Sequence, residues 1–376
     1  MSLREIASMI SKKMLHVLIL GASLWAVQLF GQQAVVDPWR PRKVPVNVDF
    51  VGDQVCAECH KKKVASHSLG GMGRAAESVA ESKVLTANPT MVFRAGTYSF
   101  EIKRIGMQSF YTVTDGKEKI SLPILYAFGQ GKAGQTYILQ SDGAFYEGLV
   151  SFFREIGGLD FTIGQSRTVP QSLKQAIGRR LSTEDAFNCF SCHSTGGARE
   201  RQIRLDKLTP GVHCEACHGP GTQHVKAIKE GEAGARLIFN PGRLGADVLT
   251  QKFCASCHQA MDDSSLPRTS EINNVRFQPY RIFQSNCYSD DRRIACTACH
   301  DPHEPLDRNA AHYDSKCLAC HVSKGQAAAQ GFAVGCRIGT KDCTSCHMPK
   351  IAVAEAHFKF TDHYIRVVKT AEKFPN

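Results

Sequence analysis

A cysteine, two further residues, a second cysteine and a histidine recur seven times in this chain. The boxes are Cys56/Cys59/His60, Cys189/Cys192/His193, Cys214/Cys217/His218, Cys254/Cys257/His258, Cys296/Cys299/His300, Cys317/Cys320/His321 and Cys343/Cys346/His347. No other feature limits the fold as strongly, because this spacing is the attachment signal for c-type haem. Two thiols three positions apart can each form a thioether to one vinyl group on a porphyrin edge. The next residue then lies under the iron, where its imidazole becomes the proximal ligand. One C-x-x-C pair would be weak, since zinc ribbons and thioredoxin-like sites also use it. A zinc ribbon has no need of a histidine directly after its second cysteine, however, and all seven pairs have one. The boxes imply seven covalently attached haem c groups.

Haem changes the usual core arithmetic. Beyond an N-terminal leader of 34 residues, the chain offers only about 49 residues per haem. Macrocycles then supply much of the interior, and long loops do not leave it empty. The expected fold is a multihaem cytochrome c of mostly short helices and irregular loops wrapped around packed haems, with a small antiparallel β insert. The formal charge of +11 does not point to nucleic acid. Ferric haems with their propionates bring the holoprotein to about +2, and full reduction to about −5, so the basic excess balances propionates. The longest basic run is Lys61-Lys62-Lys63.

Haem is attached to such boxes outside the cytoplasmic membrane, so export is required. Lys12 and Lys13 precede an apolar run from Met14 to Phe30 and a small or polar stretch ending at Ala34. This reads as a signal peptide over 1–34, with an uncleaved membrane anchor as the alternative. Periplasmic or otherwise exported placement follows. Residues 35–89 form a proline-spaced lead-in and the first haem segment. A gap of 133 positions separates His60 from His193. Within it, Tyr98–Lys103, Phe110–Thr114 and Ile120–Ile124 alternate apolar and polar residues, and Asp115-Gly116 and Asp142-Gly143 mark hairpin turns. Residues 90–165 are read as the β insert, its aromatics packing their own core and the nearest haems. Residues 166–376 form the multihaem domain with six boxes, at irregular intervals that exclude a solenoid of equal repeats. Short helices are expected at Thr222–Lys229 and Ser323–Gln330.

Seven histidines lie outside the boxes and the leader: His67, His213, His224, His303, His312, His357 and His363. Their number allows a second axial histidine on every iron. His303 is too close in sequence to His300 to reach the opposite face of the same haem, so it should ligate a neighbour. His312 and His213 lie just before boxes and have propionate contacts as the alternative. Met72, Met107 and Met348 are competing ligands. Cys287 and Cys336 stand outside the boxes, as a disulfide or as two thiols.

The stretch Gly211-Val-His-Cys214-Glu-Ala-Cys217-His218-Gly-Pro-Gly221 with His224 resembles multihaem cytochromes related to the tetrahaem carrier partnered with hydroxylamine oxidoreductase. Cys299-His300-Asp-Pro-His303, Cys346-His347-Met-Pro-Lys350 with Phe360-Thr-Asp-His363, and Cys56-Ala-Glu-Cys59-His60 with His67 follow the same pattern. The resemblance implies periplasmic electron transfer, with His67, His224, His303 and His363 as distal ligands. The carrier has four haems where this chain has seven boxes, and the β insert has no counterpart in it. The leading expectation is an electron carrier working between redox partner proteins, either other cytochromes or a quinol-linked membrane complex. The rival is an oxidoreductase acting on a small nitrogen or sulfur compound at one open haem. The C-x-x-C-K box that marks the nitrite-reducing relatives is missing. A haem filament is the third possibility.

Overall fold

A computed structural model of the chain describes residues 39–259, 272–289, 294–321, 336–369 and 372. The leader and the expected helix at Ser323–Gln330 lie outside the described residues. No described helix is long and apolar enough to cross a membrane.

The largest ordered body is an antiparallel sheet. Its strands are β1 (Ala76–Ser78), β2 (Thr90–Ala95), β3 (Tyr98–Ile105), β4 (Gln108–Thr114), β5 (Lys119–Phe128), β6 (Thr136–Ser141), β7 (Ala144–Gly148) and, after a separate hairpin, β10 (Gly178–Arg180). The order across the sheet is β10-β7-β6-β5-β4-β3-β2, with β1 paired to the end of β5. The hairpin β8 (Val150–Phe153) and β9 (Gly158–Phe161) packs beside it. This corrects the expectation of a small β insert in a mostly helical and irregular chain. Strands hold 25% of the structure, in a curled half-barrel sheet.

The curl has a local cause. The first half of β5 pairs with β4, and its second half with β6, with a register break between Ile124 and Tyr126. Such a break bends a strand and adds twist. The two Asp-Gly turns behave as their chemistry dictates. Asp142 and Gly143 both adopt positive φ, of 50° and 73°, as a two-residue turn between β6 and β7 requires. Alternation along β3 puts Tyr98, Phe100 and Ile102 inside. They meet Tyr111, Val113, Tyr137, Leu139 and Val150 in one apolar core.

The far end of the sheet packs on a haem-bearing helix. Phe128, Tyr126 and Phe145 all set their rings against Phe190, which is fully buried. Phe190 lies in α2 (Thr183–His193), which ends on the second box and starts in a capping box between Ser182 and Asp185. The other labelled helices are α1 (Asp53–His67), α3 (Cys214–His218), α4 (Thr222–Lys229), α5 (Gln278–Phe283), α6 (Ala310–Leu318) and α7 (Cys343–His347). A C-terminal hairpin joins β11 (Lys350–Val353) to β12 (Phe358–Thr361). Cys287 and Cys336 are not joined by a disulfide.

Phe100 sits at the centre of the sheet core with no solvent exposure. Phe100→Ala should lower the unfolding free energy of the holoprotein by about 3–5 kcal/mol. Denaturant titration followed by far-UV circular dichroism measures it. A change below about 1 kcal/mol would mean that the sheet adds little to global stability.

Candidate haem sites

The boxes share a local design. Each first cysteine lies in or next to a turn of helix, and in boxes two, three, four and seven the proximal histidine is the last residue of that helix. Helix α1 leaves helical geometry at His60, with φ −105° and ψ 35°. Gly219 (φ 70°) and Gln259 (φ 62°) reverse the chain directly after His218 and His258. The fourth box is entered through a widened π-type turn, Leu249–Cys254.

The sixth box lies open to solvent. Cys320 is exposed, as is His321 beside it at the end of a described segment. The reason is local: α6 ends at Leu318 and buries only Asp314, so the turn that follows projects outward. That turn is still closed, with the Cys320 N–H donating to the Cys317 carbonyl at 3.1 Å. Cys59 and Cys346, the second cysteines of boxes one and seven, are exposed as well. The second cysteines of boxes two to five are partly shielded.

Three histidine pairs assemble from distant parts of the chain. His60 and His224 face each other with ring centroids 6.5 Å apart and planes 20° from parallel. His218 and His303 do so at 5.9 Å and 18°, and His300 and His363 at 6.3 Å and 44°. A metal between two imidazoles takes a bond of about 2.0–2.1 Å on each side, which with the ring radius spans roughly 6.3 Å between centroids. Each pair is spaced for one iron between its two rings. His303 faces a box other than its neighbour His300, as the short spacing demands.

The nitrogens are set for the same task. Nδ1 of His218 bonds to the Phe239 carbonyl, that of His224 to Gly234, that of His347 to Arg366 and that of His193 to Ala75, each at 2.9 Å. His363 Nδ1 reaches the Thr361 carbonyl at 3.0 Å, and His303 Nδ1 the Asp301 carboxylate at 2.9 Å. Such a bond fixes the tautomer and turns Nε2 toward a metal. Burial pushes His193, His218, His258 and His300 below the ordinary imidazole value, and His363 down to about 4. Neutral imidazole is the ligating form. The donor set therefore fits haem iron. His67 is half-buried with its Nδ1 unbonded, and its ring packs so closely on Gly73 that a Cβ there would come within 3.3 Å of Nδ1.

Two of the other spare histidines, His213 and His357, are spoken for. His213 donates from Nδ1 to Asp53 Oδ2 at 2.6 Å, and its Nε2 bonds to the Pro210 carbonyl at 2.8 Å. Both ring nitrogens are taken. His357 occupies the β11–β12 turn in left-handed backbone (φ 44°) and gives Nε2 to Asp160 at 2.7 Å, beside Arg167. His312 packs edge-on to Tyr313 with Nδ1 3.4 Å from Asp307. Met107 is 72% exposed on the β3–β4 turn, away from the boxes.

Several residues that hold the boxes together carry no sequence signal. Glu215, inside the third box, is buried and accepts from the backbone N–H groups of Val51, Gly52 and Gly221 at 3.0, 2.8 and 2.8 Å. The lead-in threads across three boxes. Trp39 Nε1 donates to Ala216 O at 2.9 Å, and Arg42 donates to Asn188, to Ser191 Oγ and to Ser256 O. Ala216, Ser191 and Ser256 are residues between the paired cysteines of boxes three, two and four. At the other end, fully buried Arg281 on α5 grips Asp362 through two bonds of 2.8 and 2.9 Å, which fixes the backbone next to His363. Burial alone would raise the Asp362 carboxyl, but the Arg281 and Tyr364 bonds outweigh it and hold it below the usual range. Of these residues, Glu215, Ala216 and Asp362 stand inside sequence motifs, but nothing in those motifs tells which groups they bond.

The sequence family described as cytochrome c554 and c-prime matches residues 164–219. The multiheme cytochrome MtrA of Shewanella baltica is 22% identical over 205 residues, covering 49% of this chain and 53% of MtrA. The chain thus spans about half the length of that relative. The outer cell wall cytochrome OcwA superposes with a TM-score of 0.44 at 14% identity, over 85% of this chain and 80% of OcwA. The boxes, the family match and the MtrA likeness together support a multihaem c-type cytochrome with covalent haem c.

Asp53 and His213 give a pH test. Burial raises Asp53, but its bonds to His213 and Cys214 outweigh this and bring it from 3.8 down to about 2. Burial lowers His213, but Asp53 outweighs that and lifts it above 6.5. The Asp53 contribution is present above its unfolded value and fades as pH falls toward 2. The His213 contribution is full below its unfolded value and fades as pH rises through the folded one. The stability lost in His213→Asn should therefore be largest between about pH 4 and 6.5 and shrink on both sides. Denaturation midpoints of the two holoproteins across pH 3–8 measure this, and a constant difference would contradict the pairing.

Proposed function

We propose that this multihaem c-type cytochrome carries seven haems and works outside the cytoplasmic membrane as an electron carrier between redox proteins. The observation that carries this reading is the set of three cross-chain histidine pairs. Bound haem supplies one-electron exchange between ferric and ferrous iron. The chain's own residues do the rest: the paired imidazoles close both faces, their Nδ1 bonds fix ring orientation, and Arg281, Glu215 and Arg42 hold neighbouring boxes at fixed separation. Six-coordinate sites held rigidly need little rearrangement on electron gain, which suits a carrier. Partners are other cytochromes or a quinol-linked membrane complex. The leader at 1–34 serves export, or serves as an anchor to the cytoplasmic membrane.

The fates of His213 and His357 favour a second reading at part of the array. With His213 committed twice and His357 committed through Nε2, five spare histidines remain for seven boxes. On that reading two irons lack a distal histidine, and one of them is where a small nitrogen or sulfur compound would bind.

Intact mass after removal of non-covalent haem should exceed the apoprotein by seven haems, and a shortfall of two or more sinks the count. Low-temperature electron paramagnetic resonance should show five or fewer bis-histidine centres. Seven would overturn the second reading and leave the carrier intact. His363→Ala should convert one further centre to high spin without changing the mass increment. An unchanged spectrum would remove His363 from the ligand set.

A further inference from the structure

Two of the box-to-box junctions are built in the same way. Asp53 stands three residues before Cys56, and Asp314 three residues before Cys317. Each carboxylate leaves its own helix and caps the helix of another box. Asp53 Oδ1 accepts the Cys214 N–H at 3.2 Å while Oδ2 takes His213 Nδ1. Asp314 Oδ1 accepts the Cys343 N–H and Oδ2 the Asp342 N–H, both at 2.8 Å. In both cases the targets are the residue before the helix and the first cysteine, on a five-residue helix with no side-chain cap of its own. In both cases the first cysteines of the two boxes also lie near each other, Cys56 by Cys214 and Cys317 by Cys343.

The remaining boxes are joined differently. Cys192 meets Cys257, second cysteine to second cysteine. Cys254 meets Cys296, but the residue three before Cys254 is Gln251, which donates instead to the Pro279 carbonyl at 2.9 Å. Among the seven boxes, only the first and sixth carry an acidic residue at that position.

We propose that Asp53 and Asp314 are positioning residues of two equivalent haem-pair units, boxes one with three and boxes six with seven. This rests on the heptahaem carrier reading and deepens it. The C-x-x-C-H spacing fixes a porphyrin relative to its helix, so an aspartate that locks one box helix onto another sets the relation between two porphyrins. The nearness of the first cysteines makes the thioether edges on that side neighbours, and gives each pair a short path for electron exchange. The carboxylate has a second effect. Negative charge beside two adjacent sites favours the ferric state and so holds both potentials down, fully at Asp314 and less at Asp53, where His213 offsets the charge.

The test uses the full holoprotein and Asp53→Asn, Asp314→Asn and the double variant. Asparagine keeps one acceptor oxygen and removes the charge. Intact mass serves as the control for attachment, and spectroelectrochemical titration with low-temperature paramagnetic resonance as the readout. Each single variant should keep seven haems, weaken the spin coupling of one pair and move two of the seven one-electron waves to more positive potential. The move should be larger in Asp314→Asn than in Asp53→Asn, where His213 already offsets the charge. The two shifts should fall on different waves and add in the double variant. Titrations that superimpose on the wild type would overturn the proposal. So would fewer than seven haems in both single variants, because the aspartates would then serve attachment rather than tuning. A wild-type protein with fewer than seven haems would instead fail the heptahaem reading by itself.

Discussion

Cys214–His218 and Cys343–His347 are each little more than one turn of helix, far below the length at which a helix persists alone. What keeps such turns in place is carboxylate oxygen supplied from elsewhere in the chain. Asp53, Glu215 and Asp314 all spend their acceptors on backbone N–H groups of a neighbouring haem segment. A buried carboxylate satisfied this way is costly to displace, since losing its donors leaves a charge in low dielectric. The haem-bearing segments are thus fastened by short polar contacts, where an ordinary domain of this size would rely on apolar packing. The apolar core proper belongs to the sheet.

These two regimes meet at one place. Phe128, at the end of β5, lies flat against the His193 imidazole, with centroids 4.9 Å apart and planes 4° from parallel. Around it Phe190, Tyr126 and Phe145 continue the sheet's interior into α2. The second box is therefore the one whose environment is set by the sheet, and the His193 bond to Ala75, next to β1, reinforces that.

What could be read from the sequence was local. The boxes are a five-residue pattern, and the Asp-Gly turns with flanking alternation are nearly as compact. The extent of the sheet was not legible, for physical reasons. Strands β1 and β10 are three residues each and show no periodicity of their own. Strand β8 is buried at all four positions, so it gives a continuous apolar run with no alternation. Nor does a box say how deeply it lies: Cys320 and Cys192 share one pattern, and only the packing around α6 and α2 separates the exposed site from the shielded one. The equality of boxes and spare histidines was legible but incomplete as an argument. Asp53 and Asp160, which engage His213 and His357, lie far from them in sequence. The roles of Arg42 and Arg281 were invisible for the same reason: a lone arginine has too many uses until its acceptors are known.

In every histidine pair the partner lies downstream of the box histidine it faces: His224 after His60, His303 after His218, His363 after His300. One iron held between such a pair would therefore tie together two points of the chain 164, 85 and 63 positions apart. Closing a loop of that size removes conformational freedom from the unfolded chain as a disulfide of the same span does. Arg281, which grips Asp362 beside His363, spans nearly the same stretch as the last of these loops with a polar contact of its own.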